Sequence, residues 1–223
     1  MKRLLYLSFG ALFMLFTSCI EIIDDLSINS DGSGTFKYTV NFSSSKVKIN
    51  SYLALDSLDG KRVPSKDELI ARINTIVNSL GEQEGISDLA FDANYTDYIF
   101  KLSFDFKSID GLQKAIKDVV KKESKEKTIK ELDASWISIS DDAFNRSIPK
   151  IKIDRASQLK PEEVSELKNA FYTSITRFND EIRSCENSTA TIAKNKKAVM
   201  IRKDIYSVIQ NTSILDNTIY LAD

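Results

Sequence analysis

The sequence predicts an α+β body of antiparallel β-hairpins packed against amphipathic helices, with a strand-rich C-terminal half. Three observations carry this. First, two stretches alternate at the two-residue period of a strand: Phe36, Tyr38, Val40 and Phe42 against Thr35, Lys37, Thr39 and Asn41, and Tyr98, Phe100, Leu102, Phe104 and Phe106 against Lys101, Ser103, Asp105 and Lys107. Second, Leu69, Ile70, Ile73, Ile76, Val77 and Leu80, and later Leu112, Ala115, Ile116, Val119 and Val120, recur at helical spacing. Third, turn-type residues stand where the strands must reverse. Strands apolar on one side only need a cover, so the helices are expected on one face of the sheet.

The chain opens with a short apolar leader. Lys2 and Arg3 precede the run Leu4 to Phe16, which is broken only by Ser8 and Gly10, and Thr17 and Ser18 lead into Cys19. The run is too short for a comfortable permanent span and reads as a removable export signal over residues 1–18. Phe16-Thr17-Ser18-Cys19, with Phe where Leu is commoner, resembles the lipobox of bacterial lipoprotein signals. That resemblance covers residues 1–19. It implies cleavage before Cys19, acyl chains on the Cys19 thiol and new amine, and a location in the bacterial cell envelope. Two or more chains give stable attachment, at about 0.8 kcal/mol per buried methylene. Ile20 rather than Asp follows the cysteine, which by resemblance to enterobacterial sorting implies the outer membrane. The membrane, reached through lipid on Cys19, is the expected partner; an envelope protein partner is left open.

A strand is expected by Ile22, so the tether after Cys19 is short. At about 3.3–3.6 Å per extended residue, the body should sit close to the lipid headgroups. Residues 21–29 and 35–43 read as a hairpin around Asn29-Ser30-Asp31-Gly32-Ser33-Gly34, because Asp-Gly accepts the positive φ of a tight turn. The same segment fails as a calcium loop: Ser27 and Tyr38 would hold its first and twelfth positions, where acidic oxygens are needed. Residues 44–63 read either as a helix or as a covering segment. Ser65 and Glu68 make a capping box for the helix that follows, which ends at Gly81 or Gly85. A second hairpin fills 86–107 with its turn near 94–97, and a second helix runs from about 109 to 122, capped by Ser108. The mixed charges of 121–131 read as a solvated helix end, with a polybasic membrane patch as the sharper alternative.

In the C-terminal half, 132–140 and 148–153 are expected to pair around Asp141-Asp142. Pro161 opens a short helix. Strands follow near 172–178, 181–186, 189–193 and 198–202, then a short helix at 204–210 and a closing strand at Ile219 and Leu221. The expected division is a leader (1–18), a strand-strand-helix-strand-strand-helix part (19–122) and a strand-rich part (123–223) packed with it as one body. The opening hairpin, Asp31-Gly32-Ser33-Gly34 with Phe36, and the Tyr98-to-Phe106 strand resemble uncharacterised envelope lipoproteins that begin with such a hairpin after the lipid cysteine. They are more distantly similar to LppM-like lipoproteins of mycobacteria. The resemblance implies an envelope location and transfers no catalytic residue.

Composition excludes more chemistry than it suggests. The 223 residues hold 31 basic and 32 acidic side chains; without Lys2 and Arg3 the mature charge is −3, with no pull toward nucleic acid. There is no histidine, which removes Ser-His-Asp triads and most zinc sites. No phosphate-cradling glycine loop occurs and no cofactor is implied. With Cys19 lipidated, Cys185 has no partner for a disulfide and reads as buried or inert. The remaining catalytic option is a carboxylate pair of the glycosidase kind. Its candidates, Asp24/Asp25, Asp141/Asp142 and Glu162/Glu163, are adjacent pairs, and adjacent strand residues face opposite ways. Trp136 reads as a core position or as a platform for a sugar or peptide, and Tyr95 and Tyr98 as an aromatic tip touching a partner or membrane. The expected function is therefore a non-enzymatic binding or assembly role at the envelope. A carboxylate-based glycan hydrolase and a carrier of a hydrophobic ligand are the alternatives, and the carrier needs an apolar cavity between sheet and helices.

Overall fold

The computed structural model describes residues 20–58, 60–123, 133–140, 143–148 and 159–222. Cys19, Asp141 and Asp142 lie outside the described residues, as does most of the charged stretch at 121–131. In chain order the elements are β1 (Glu21–Ile28), β2 (Gly34–Asn41), a 3-10 turn (Ser43–Ser45), α1 (Lys46–Leu53), β3 (Ser57–Leu58), β4 (Lys61–Arg62), α2 (Lys66–Gly81), β5 (Ile86–Asn94), β6 (Ile99–Phe106) and α3 (Ile109–Glu123). Then come β7 (Ile137–Ile139), β8 (Ala143–Arg146), α4 (Pro161–Lys168), β9 (Phe171–Phe178), β10 (Ile182–Cys185), β11 (Thr191–Ile192), β12 (Ala198–Asp204), α5 (Ile205–Gln210) and β13 (Asn217–Leu221). The α+β class predicted from periodicity is the class observed. Among the described residues, no helix is long and apolar enough to cross a membrane.

A seven-stranded sheet runs in the order β11-β12-β9-β1-β2-β6-β5, and a four-stranded sheet in the order β10-β13-β8-β7. The large sheet takes strands from both halves of the chain. Its pairs are antiparallel except β1 with β9, which are parallel. The exception has a topological cause: β2 holds one edge of β1 through a hairpin, and the other edge is filled by a strand about 150 residues later, which no short turn constrains.

Local chemistry explains most elements. In the first turn Gly32 has φ +81°, and Asp31 accepts from the Ser33 amide at 3.0 Å and the Ser33 hydroxyl at 2.6 Å, which holds its carboxyl below the usual range. Gly34 is required for packing: a Cβ there would lie 2.0 Å from the Ser27 carbonyl oxygen and 2.6 Å from the Phe106 ring. At α2 both arms of the capping box form, with the Glu68 amide donating to Ser65 Oγ at 3.2 Å and the Ser65 amide to Glu68 at 2.7 Å. Residues 44–63 resolve into α1 and the small β3–β4 hairpin.

One expectation is corrected. The partner of β7 is β8, at 143–146 rather than 148–153. Ser140 and Ala143 exchange backbone hydrogen bonds at 2.8 and 3.3 Å between the two strands. Ile148 is outside any strand, and 149–158 lie outside the described residues. The strands expected near 181–186 and 189–193 form in different sheets: β10 joins the second sheet against β13, while β11 pairs with β12.

Even-numbered side chains of β1 and β6 point to one face, where Leu26, Ile28, Phe104 and Phe106 form a core with Leu112 and Ala115 of α3 and with Phe144, Ile182 and Ile219 of the small sheet. Phe144 meets Phe178 edge to face at 5.3 Å. Odd-numbered positions carry charge on the other face, as in the Asp25–Arg177 pair at 2.8 Å.

Candidate functional site

The strand register divides the covered face of the large sheet into rows. Ile28, Gly34 and Phe106 stand side by side; so do Leu26, Phe36 and Phe104; then Asp24, Tyr38 and Leu102; then Ile22, Val40 and Phe100. The first two rows belong to the core. The third begins with a carboxylate and a phenol, and marks a boundary.

Asp24 is 1% exposed. Arg146, reaching across from β8, donates through Nη1 to Asp24 Oδ1 at 2.9 Å and to Ser174 Oγ at 2.7 Å. Ser174 Oγ donates to Asp24 at 3.0 Å, and the Tyr172 hydroxyl donates to the other carboxylate oxygen. Burial works against the Arg146 cation, but Asp24 and Tyr172 beside it outweigh that and hold its guanidinium above its usual range. Burial, reinforced by Asp24, pushes the Tyr38 phenol up to about 12 and raises Tyr172 strongly. Such a group is costly to desolvate and very costly to break once buried. It ties the large sheet to the small one and forms a polar belt across the covered face.

Beyond the belt the face opens into an apolar groove of about 580 Å³, within the usual size of a small-molecule site. Its floor is Ile20, Phe42 and Phe100; one wall is Leu69, Ile70 and Ile73 of α2; another is Ile49, Tyr52 and Leu53 of α1; Leu159 and Leu167 close it from the α4 side. Tyr95 and Tyr98 line it from the β5–β6 turn. The walls are pinned by polar contacts at the rim. Lys48 of α1 pairs with Glu166 of α4, and the carboxylate holds the Lys48 ammonium above the usual lysine range. The Tyr98 hydroxyl donates to Asn50. Lys46 pairs with Asp97 at 2.8 Å. Lys66 lies 5.7 Å from the Tyr98 ring centroid, within cation–π range.

The structure places the sequence candidates as follows. Tyr95 and Tyr98 come together, but not as an exposed tip. Tyr98 is 7% exposed with φ +57°, a conformation uncommon for a non-glycine residue, and its ring lines the groove wall. Tyr95 meets Phe100 edge to face at 5.5 Å, and its hydroxyl is buried with no hydrogen-bond partner among the described residues. Trp136 is elsewhere: it packs against the core and its amide donates to Gln113 Oε1 at 2.7 Å. Cys185 is half-buried at the core margin. Asp24 and Asp25 face opposite ways, each with its own arginine. The groove has two acidic residues, Glu163 and Glu166, and both are engaged: Glu163 accepts from the Lys160 amide at 2.8 Å and Glu166 from Lys48. Lys117 and Lys121, at the charged helix end, pair with Asp133 at 2.7 and 3.3 Å.

Sequence reasoning missed the groove itself. Ile49, Leu53, Leu159 and Leu167 are apolar residues on separate short segments, and nothing local says that they share a cavity. The usable signal was a surplus: α2 has more apolar positions than its core-facing end consumes.

Comparison with known protein families and with curated proteins gives no match. Among solved structures, the chain is similar to the NMR structure of the folded domain of Mycobacterium tuberculosis LppM, with 8% identity, a TM-score of 0.41, and coverage of 92% of this chain and 89% of that one.

Proposed function

We propose that this chain is an exported lipoprotein, held at a membrane of the bacterial cell envelope by acyl chains on Cys19, whose body binds a hydrophobic ligand of the acyl-chain class in the groove. The groove is the observation that carries this. It is walled almost wholly by carbon and half-open, with Lys48 and Lys66 among its lining residues near where the polar end of an amphiphile would lie. An alkyl chain laid in the groove would remove its apolar lining from water. The role is binding rather than chemistry, since the rim carboxylates are occupied by Lys48 and a backbone amide.

The test is titration of the Cys19→Ala chain, which carries no anchor lipid, with a fluorescent polyunsaturated fatty acid, alongside native mass spectrometry of the unsubstituted protein extracted from membranes. Saturable binding that is lost in Ile73→Arg supports the reading. Absence of binding, or binding indifferent to Ile73→Arg, removes it. An extracted protein that carries no acyl mass on Cys19 removes the anchor.

A further inference from the structure

We infer that the groove's resident occupant is the protein's own anchor: one acyl chain of the lipid on Cys19 folds back into it. This rests on the reading above, that the groove takes alkyl chains and that Cys19 carries them. Ile20 is part of the groove floor. It is fixed there, because its carbonyl accepts from the Phe171 amide at 2.8 Å, extending the β1–β9 pairing by one residue. Consecutive Cα atoms are about 3.8 Å apart, so a lipid on residue 19 is attached one peptide unit from the groove floor. No linker intervenes to carry the lipid away from it.

Tethering then decides the competition. A chain in the bilayer and a chain in the groove are both out of water, so neither place is much preferred by hydrophobicity alone. A short tether presents one chain at an effective concentration on the order of millimolar, and a free amphiphile must displace it. The device makes the groove self-occluded: ligand entry requires the anchor chain to move out into the membrane.

The experiment uses the full chain, expressed in a bacterium fed a diazirine-bearing fatty acid that enters both the Cys19 lipid and the membrane phospholipids. After illumination the protein is purified and its crosslinks are mapped. The inference expects adducts joining the Cys19 lipid to Lys66–Gly81 or to the Tyr95–Tyr98 turn within one polypeptide. It also expects these adducts to outnumber phospholipid adducts at the same positions in the same sample, because a free lipid must displace the tethered chain. Ile73→Arg should remove both kinds. Phospholipid adducts in the groove with no Cys19-lipid adduct overturn self-occlusion and leave acyl binding standing. No groove adduct of either kind overturns both.

Discussion

Ile22 and Leu26 lie on the same strand, on the same face, four residues apart. Leu26 is 1% exposed while Ile22 remains partly open. Both are β-sheet aliphatics with similar burial value, so the difference lies in the cover. At the Leu26 end the sheet meets α3, 15 residues long with five buried positions, and the small sheet with Phe144 and Ile219. At the Ile22 end it meets α1 and α4, 8 residues each, with no buried residue in either. Isolated helices of that length are marginal, and these two are held by rim contacts such as Lys48–Glu166. One end of the sheet is a close-packed solid; the other is a cavity with lightly fastened walls. The Asp24–Arg146 belt separates them. A cavity that must admit a chain belongs at the end with low local stability.

The comparison can be broken first at the closed end. Phe104→Ala should destabilise by about 3–5 kcal/mol in urea unfolding, as full burial demands. The belt is next: Asp24→Ala leaves Arg146 buried without its counter-charge, a loss of about 3–5 kcal/mol, and combining Asp24→Leu with Arg146→Met should restore most of it. If Asp24→Ala were silent, the belt would be a surface feature and the division of the sheet would fail.

Alkaline titration sharpens the boundary. Tyr38 and Tyr172 hold their protons more tightly folded than unfolded, so the folded chain binds more protons above pH about 10, the ordinary tyrosine value. The contribution of Tyr38 is complete below that pH and is lost as pH rises toward 12. Stability measured at pH 9 and pH 11 should fall, and Tyr38→Phe should shrink that fall by about 1 kcal/mol. An unchanged slope would mean that Tyr38 is solvated.

The smallest effects belong to the open end. Ser65→Ala removes the cap from the groove-side terminus of α2 and should cost about 1 kcal/mol. Leu69→Ala, in the groove wall, should cost at most about 1 kcal/mol, far below Phe104→Ala, because its site is already open. A Leu69→Ala loss equal to that of Phe104→Ala would show that the groove is closed in solution.

Much of the architecture was legible because its causes are local. Alternation at Phe36–Phe42 and Phe100–Phe106, the capping box at Ser65, the turn at Asp31-Gly32 and the proline at α4 act within a few residues, and each element formed where they stand. The β7 partner was misplaced because the nearer segment, Ala143 to Arg146, takes the pairing that a plausible later strand was expected to take. Of the groove, Tyr95 and Tyr98 were singled out as an aromatic tip touching a partner or membrane, and Glu163 as half of an adjacent acidic pair. Asp24 was read as half of an adjacent acidic pair, since Arg146 lies 122 residues away and no sequence pattern links them.

The sequence by itself determined the elements, their apolar faces, the leader's resemblance to a lipoprotein signal and the absence of histidine chemistry. Each follows from composition or short-range periodicity. Only the tertiary structure decided that β9 would flank β1 in parallel, that Asp24 would find Arg146, and that the sheet's apolar face would be sealed at one end and left as a groove at the other. Those outcomes depend on which distant segments arrive to cover a surface, and an apolar residue's own chemistry calls for cover without naming what supplies it.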